Sequence, residues 1–183
     1  MRIPLLLAAL LLAGCARPPQ FDVFGQVPAF QLTSQSAQAF DSKSLEGHVW
    51  VADFFFTSCP GPCPLMSKKL GDVQRQTADL PGVKIVSFTV DPAHDTPAVL
   101  AEYAKRYVAD PARWFFLTGD QAKLNVLGRD GFKLNPVDGS TIHSTRFVLV
   151  DQRMQIRSYY SSDEQGVIEK LVHDIRALAG DKT

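Results

Sequence analysis

FFFTSCPGPCPLM, residues Phe54 to Met66, is the stretch that decides the fold of this chain. It joins two kinds of pattern. Before it, HVWVADFFF from His48 is an apolar, β-rich run of strand length; after it, LMSKKLGDVQRQ carries helical spacing at Leu65, Leu70 and Val73. Cys59 and Cys63 stand at the junction, each followed by a proline. A helix start leaves backbone N–H groups unpaired and carries partial positive charge, which favours thiolate over thiol. Pro62 and Pro64 stiffen the entry to the helix. The pair admits three roles: a structural disulfide, a redox dithiol or two ligands of a metal. A disulfide across so short a loop removes little chain entropy. Redox dithiols more often have two residues between the cysteines, where this chain has Pro60, Gly61 and Pro62.

Outward from the junction, VKIVSFTV from Val83 is a second buried strand. DPAHDTP ends it and caps a helix, with Thr96 as N-cap and Pro97 at the first helical position. That helix, PAVLAEYAKRY, runs to about Tyr107. RWFFLTG reads as a short strand, QAKLNVLG as a short helix ending at a glycine, and GFKLNPVDGSTIH as irregular. STRFVLVD and MQIRSYY are two adjacent strands joined by a tight turn, and QGVIEKLVHDIRALAG is a final amphipathic helix. Strand–helix alternation predicts parallel pairing, and the late strand pair predicts an antiparallel edge. A thiol pair ending the first central strand and opening the next helix is the thioredoxin-like arrangement. The expected fold is therefore α/β and thioredoxin-like, a central mixed sheet flanked by helices. AFQLTSQSAQAFDSKSLEG adds an N-terminal β-hairpin.

The 183 residues are 45% apolar and 21% charged, which suits one globular domain. Net charge is zero with no basic block, so nothing points to nucleic acid. The first residues differ from the rest. MRIPLLLAALLLAGC has one arginine, a short apolar run and then Leu12-Ala13-Gly14-Cys15, which resembles the lipobox of bacterial lipoproteins. That resemblance implies a signal peptide over residues 1–14 and a lipid on Cys15. It places the domain on the outer or periplasmic face of a membrane of the bacterial cell envelope, where dithiols tend to oxidise. ARPPQFDVFGQVP, rich in proline, reads as a tether over residues 15–28, able to reach about 40 Å at ~3.1 Å per residue. Residues 29–183 form the domain.

A metal site needs more than two thiols, and the remaining donors are histidines. His173 lies among charged residues of the last helix, and His48 precedes the first central strand, at the end away from the thiols. His94 follows the second central strand and can approach the pair. His143 immediately precedes STRFVLV, and in a thioredoxin-like fold that loop faces the cysteines. Two thiolates and an imidazole form a soft set suited to Cu(I) or zinc. Structural zinc wants four protein ligands and no fourth is evident, so three suit copper. Asp91 ends the second strand on the thiol side, as a hydrogen-bond acceptor for a ligand or as a turn cap. Asp53 stands six residues before Cys59, a spacing at which thioredoxins bury an acid; it is a proton relay or a structural carboxyl. Met66 offers a thioether or fills the core.

FFFTSCPGPCPLM, DPAHDTPAVLAEY and IHSTRFVLVD, in that order and spacing, resemble the Sco/SenC family of copper proteins, from about Pro28 to about Ala179. The resemblance implies a membrane-tethered, thioredoxin-like domain holding one Cu(I) or Cu(II) through Cys59, Cys63 and His143. It implies a copper chaperone that helps assemble the binuclear copper centre of cytochrome c oxidase. Subunit II would be its partner, with other copper chaperones or thiol reductants beside it. The alternative is a thiol-disulfide reductase in which Cys59 and Cys63 are the catalytic redox pair, acting on cysteines of an exported partner. Two departures from the family stand out: His94, where an arginine is more usual, and Gly139-Ser140-Thr141, where some members carry an acid.

Cys15→Ser should abolish lipidation and leave an unprocessed precursor. Mass spectrometry checks this; a variant that still carries lipid mass and partitions with membranes contradicts the assignment of Cys15.

Overall fold

In the computed structural model, residues 21–134 and 144–180 are described. The strands are β1 (Gly25–Gln26), β2 (Gln31–Ser34), β3 (Ala39–Asp41), β4 (Trp50–Phe55), β5 (Lys84–Thr89), β6 (Trp114–Thr118), β7 (Arg146–Val150) and β8 (Gln155–Ser161). The helices are α1 (Cys63–Gln76), α2 (Pro97–Arg106), α3 (Gln121–Val126) and α4 (Val167–Gly180). Among the described residues the strands form a single sheet in the order β1-β8-β7-β4-β5-β6-β2-β3. β4, β5 and β6 are parallel, and every other pairing is antiparallel. The predicted parallel centre, antiparallel edge and N-terminal hairpin β2–β3 are all present.

β4 is buried at every position, as a strand must be when both sheet faces are covered. Its alternation sorts the helices. Phe55 packs on Tyr103 of α2, ring centroids 5.1 Å apart. Trp50 and Phe54 point the other way and meet Phe132 edge-on at 5.9 and 5.4 Å. The α1 and α2 helices are tied by Ser67 and Tyr103, whose hydroxyls lie 2.9 Å apart. The Arg176 side chain of α4 donates to the Gln76 carbonyl at the end of α1. So α1, α2 and α4 cover one face. The other is covered by Phe132 and by Phe30, whose ring stands against Phe88 at 5.4 Å, while the hairpin extends the sheet beyond β6. The α2 cap is as predicted: Thr96 accepts from the Val99 amide, with Pro97 first in the helix.

The structure departs from the sequence pattern at three places. Residues 21–28, expected as tether, are docked on the domain. β1 pairs with β8, Val27 donates to the Met154 carbonyl at 2.9 Å, and the Phe24 ring meets Tyr159 at 5.6 Å. Arg157 donates to the Phe21 carbonyl. A two-residue edge strand held by backbone bonds has no side-chain period to betray it. Second, α1 begins at Cys63 itself. Third, α3 continues into a π turn, Leu127–Gly131, instead of stopping at a glycine. Pro28 crosses this turn so closely that a Cβ on Gly131 would lie 2.9 Å from its ring. Residues 135–143, the later part of the stretch read as irregular, lie outside the described residues.

Val108 follows α2 with φ of 52°, a left-handed conformation that a β-branched residue adopts only at a cost, and it is 81% exposed. Val108→Asn should therefore raise stability by about 1 kcal/mol, or roughly 2–4 °C in Tm. Thermal unfolding checks it, and a lower Tm contradicts it.

Candidate metal centre

The cysteines occupy the step from β4 to α1. Cys59 is 8% exposed and Cys63 fully buried, and both are free thiols. The two side chains hydrogen-bond each other, and the Phe56 backbone amide donates to the Cys63 sulfur. Burial pushes the Cys63 thiol well above the ordinary range, with the neighbouring Cys59 adding to the effect and the Phe56 amide offsetting part of it. The helix start was expected to favour thiolate. At Cys63 desolvation outweighs it, because the sulfur points into the core and not to water. The free site is a neutral thiol held away from solvent.

Beneath the pair lies Asp53, fully buried on β4, with neither carboxylate oxygen within hydrogen-bonding geometry of a partner. Its register partner on β5 is Ser87. The Ser87 hydroxyl accepts from the Trp114 indole and lies near enough to Asp53 to ease its ionisation in part. Burial dominates and raises the carboxyl to about 7. Asp53 also acts on Cys63, raising its pKa through charge. The sequence left open whether Asp53 is structural or a proton relay. The structure puts it next to the thiols and leaves it unbonded.

The other candidates are distributed unequally. Asp91 lies just past the end of β5, at the thiol end of the sheet, and its carboxylate is taken by His94, whose Nδ1 is 2.8 Å from Oδ2. That contact raises the His94 pKa, while the imidazole stays 80% exposed. Met66 is fully buried in the core. His48 bonds the Gly82 carbonyl at the far end of the sheet, and His173 is exposed beside Asp174. His143 and Cys15 lie outside the described residues. Among the described residues no three acidic, histidine or cysteine side chains converge in a way that would hold a metal.

Among the described residues, the exposed positions of the thiol loop carry no charge. Pro60, Gly61, Pro62, Pro64 and Leu65 are exposed and form a collar around the buried sulfurs. Below it is one carboxylate that the sequence pattern did not single out: Asp95, fully buried and bonded to Thr57 in the cysteine loop. Its only signal in the sequence is a second acid in DPAHDTP, directly before the N-cap Thr96. A groove of about 700 Å³ lined by Pro28, Phe30, Lys43, Lys123 and Val126 lies between the hairpin and α3 and shares no residue with the thiol loop.

Residues 22–180 match a family model described as SCO1/SenC. Among solved structures, the chain is similar to a SCO1/SenC family lipoprotein from Bacillus anthracis. Identity is 32% and the TM-score 0.77, over 90% of this chain and 98% of that one. It is similar to BsSco, described as having a disulfide switch and as a member of the Sco family of cytochrome c oxidase assembly proteins. There identity is 30% and the TM-score 0.79, over 90% and 100% of the two chains. ScoI of Bradyrhizobium japonicum, solved with copper bound, is 25% identical with a TM-score of 0.69, over 84% and 99%. The thioredoxin-like architecture is shared throughout.

Asp53 supplies a pH test. Its pKa is higher in the folded chain, so folding takes up a proton where the unfolded acid has lost one. Its share of stability is whole below the ordinary carboxylate pKa and is lost as pH rises towards 7. Asp53→Asn should gain on the wild type by on the order of 2–4 kcal/mol between pH 4 and pH 8. Urea unfolding at both values measures it; an equal difference at the two pH values contradicts the buried, unbonded carboxyl.

Proposed function

Since the chain belongs to the SCO1/SenC family, we propose that it is a membrane-anchored copper carrier that helps assemble the binuclear copper centre of cytochrome c oxidase. Cys59, Cys63 and His143 are its metal ligands and oxidase subunit II is its recipient. One observation carries this: two buried thiols in hydrogen-bond contact at the mouth of a helix, under an uncharged collar. Burial disfavours a thiolate at Cys63 in the free site, and a bound cation supplies the charge that lets the thiols give up their protons. A soft ion such as Cu(I) suits two thiolates and an imidazole by ligand softness. Copper is the cargo, delivered when the partner meets the collar.

The same adjacency of the sulfurs supports a second role, reduction of the recipient's cysteines. The pair would then close to a disulfide as the partner's disulfide opens, and a thiol reductant would reset it. The disulfide switch described for BsSco favours keeping this role beside the first.

In the cell, residues 1–14 are the signal peptide and Cys15 is the lipidated first residue. Residues 21–28 are docked on the domain, so the proposed tether is shorter than the sequence alone implies. The domain works close to the envelope membrane that anchors it.

The reduced protein should bind one copper and the disulfide form none tightly, since a sulfur in a disulfide has no thiolate to offer. Cu(II) bound to thiolate should give a strong charge-transfer band, and Cys59→Ala, Cys63→Ala and His143→Ala should each weaken it. Affinity should climb with pH by up to about tenfold per unit for each thiol proton released, and continue through the ordinary thiol range because the Cys63 pKa is raised. An oxidised protein that binds copper as tightly as the reduced one sinks the proposal.

A further inference from the structure

The Phe56–Thr57 peptide is held at both edges. Its carbonyl, on Phe56, accepts the Cys59 amide at 3.3 Å. Its N–H, on Thr57, donates to Asp95, 3.1 Å from Oδ2 and 3.4 Å from Oδ1. A peptide is planar, so what fixes the N–H also fixes the carbonyl. Asp95 takes two further hydrogen bonds, from the Thr57 hydroxyl to Oδ1 and from the Thr89 hydroxyl to Oδ2, each at 2.5 Å. The Phe56 amide, one residue earlier, is the donor to the Cys63 sulfur. Both cysteines are therefore tied to this short stretch of backbone.

Asp95 itself does not move freely. It is fully buried and its amide donates to the Asp91 carbonyl at 2.9 Å. Thr89 Oγ1 also accepts the Asp91 amide, at 2.9 Å. The end of β5, the turn 91–95 and the cysteine loop thus form one bonded unit. Among the described residues no salt bridge reaches Asp95. Its negative charge faces threonine hydroxyls and a backbone amide, just before the N-cap of α2, where partial positive charge gathers. A buried carboxylate costs more than a neutral side chain would. What it supplies here is rigid acceptance of three donors at the root of the thiol loop.

We infer that Asp95 positions the thiol pair: its carboxylate clamps the Phe56–Thr57 peptide plane and so sets Cys59 against Cys63. Its effect on copper rests on the function proposed above; its effect on the thiols does not.

The test uses the full-length protein in detergent with Asp95→Asn, Thr57→Val and Thr57→Ser. The first readout needs no metal: equilibrium of the pair against glutathione. As the protein disulfide closes, one glutathione disulfide is reduced to two glutathione thiols. Looser cysteines meet less often, so Asp95→Asn and Thr57→Val should each shift this equilibrium towards the dithiol by about tenfold. The second readout is the Cu(II)–thiolate band with copper affinity, which should fall about 10–100-fold, as for groups that orient metal ligands. Thr57→Ser keeps the hydroxyl and should restore most of what Thr57→Val loses. If Asp95→Asn does not fold, the two Thr57 variants decide by the same readouts. Variants that lose urea stability while equilibrium and band stay unchanged would reduce Asp95 to a structural tie and overturn the inference. If the wild type takes up no copper but the variants still shift the glutathione equilibrium, the copper role falls and the positioning role stands.

Discussion

The thiol end depends on the complete burial of β4. Six consecutive positions without exposure are allowed only at the centre of a sheet covered on both faces, and the next residues must climb from that core to the surface. Cys63 is caught on the buried side of this climb. Its sulfur has little water to stabilise an anion, and Asp53 beneath it has neither oxygen within hydrogen-bonding geometry of a partner. Burial thus disfavours the charged form of both groups. The helix start, which at an exposed site would lower a thiol pKa, is too weak to reverse this. A cation entering the site changes the balance, since it supplies the charge that neither solvent nor helix provides.

Rigidity at that site comes from polar bonds under the loop, whereas the sheet faces beside it are packed with aromatic rings. Phe54, Phe88 and Phe132 pack mutually on one sheet face, and Phe55, Tyr103 and Phe116 on the other. These contacts fix the strands but carry no direction for a loop. Asp95, Thr57 and Thr89 supply the direction, because hydrogen bonds specify angles as well as distances. The loop is thereby firm below and uncharged above. A partner of the kind proposed would displace water from the apolar groups of Pro60, Pro62, Pro64 and Leu65 on meeting the collar.

The docked N-terminal segment bears on how the proposed anchor would hold the domain. A flexible tether from Cys15 to Pro28 would let the thiols sample a wide shell. With Phe21 bonded to Arg157, Phe24 against Tyr159 and Val27 on the Met154 carbonyl, residues 21–27 are held beside β8. The proposed anchor then restricts height as well as position. The same segment crosses the π turn at Gly131, so the two departures from the sequence pattern are one packing feature.

The sequence by itself determined the strand and helix order, the N-terminal hairpin, the α2 cap at Thr96 and the thiol pair at the β4–α1 junction. Each rests on a local cause: hydrophobic period, proline position or capping chemistry. Asp53 was legible as a buried acid because a lone carboxylate in an apolar strand has nowhere else to go. Tertiary structure alone decided the rest. Cys63 is a neutral thiol and not an anion because desolvation is a property of the assembled core. β1 exists because β8 offers it an edge. Asp91 belongs to His94, and Asp95 to Thr57, although the two acids sit four residues apart in one motif. Hydrogen-bond partners 38 residues away leave no mark on a local pattern; only the parallel pairing of β4 with β5 brings that carboxylate under the cysteine loop.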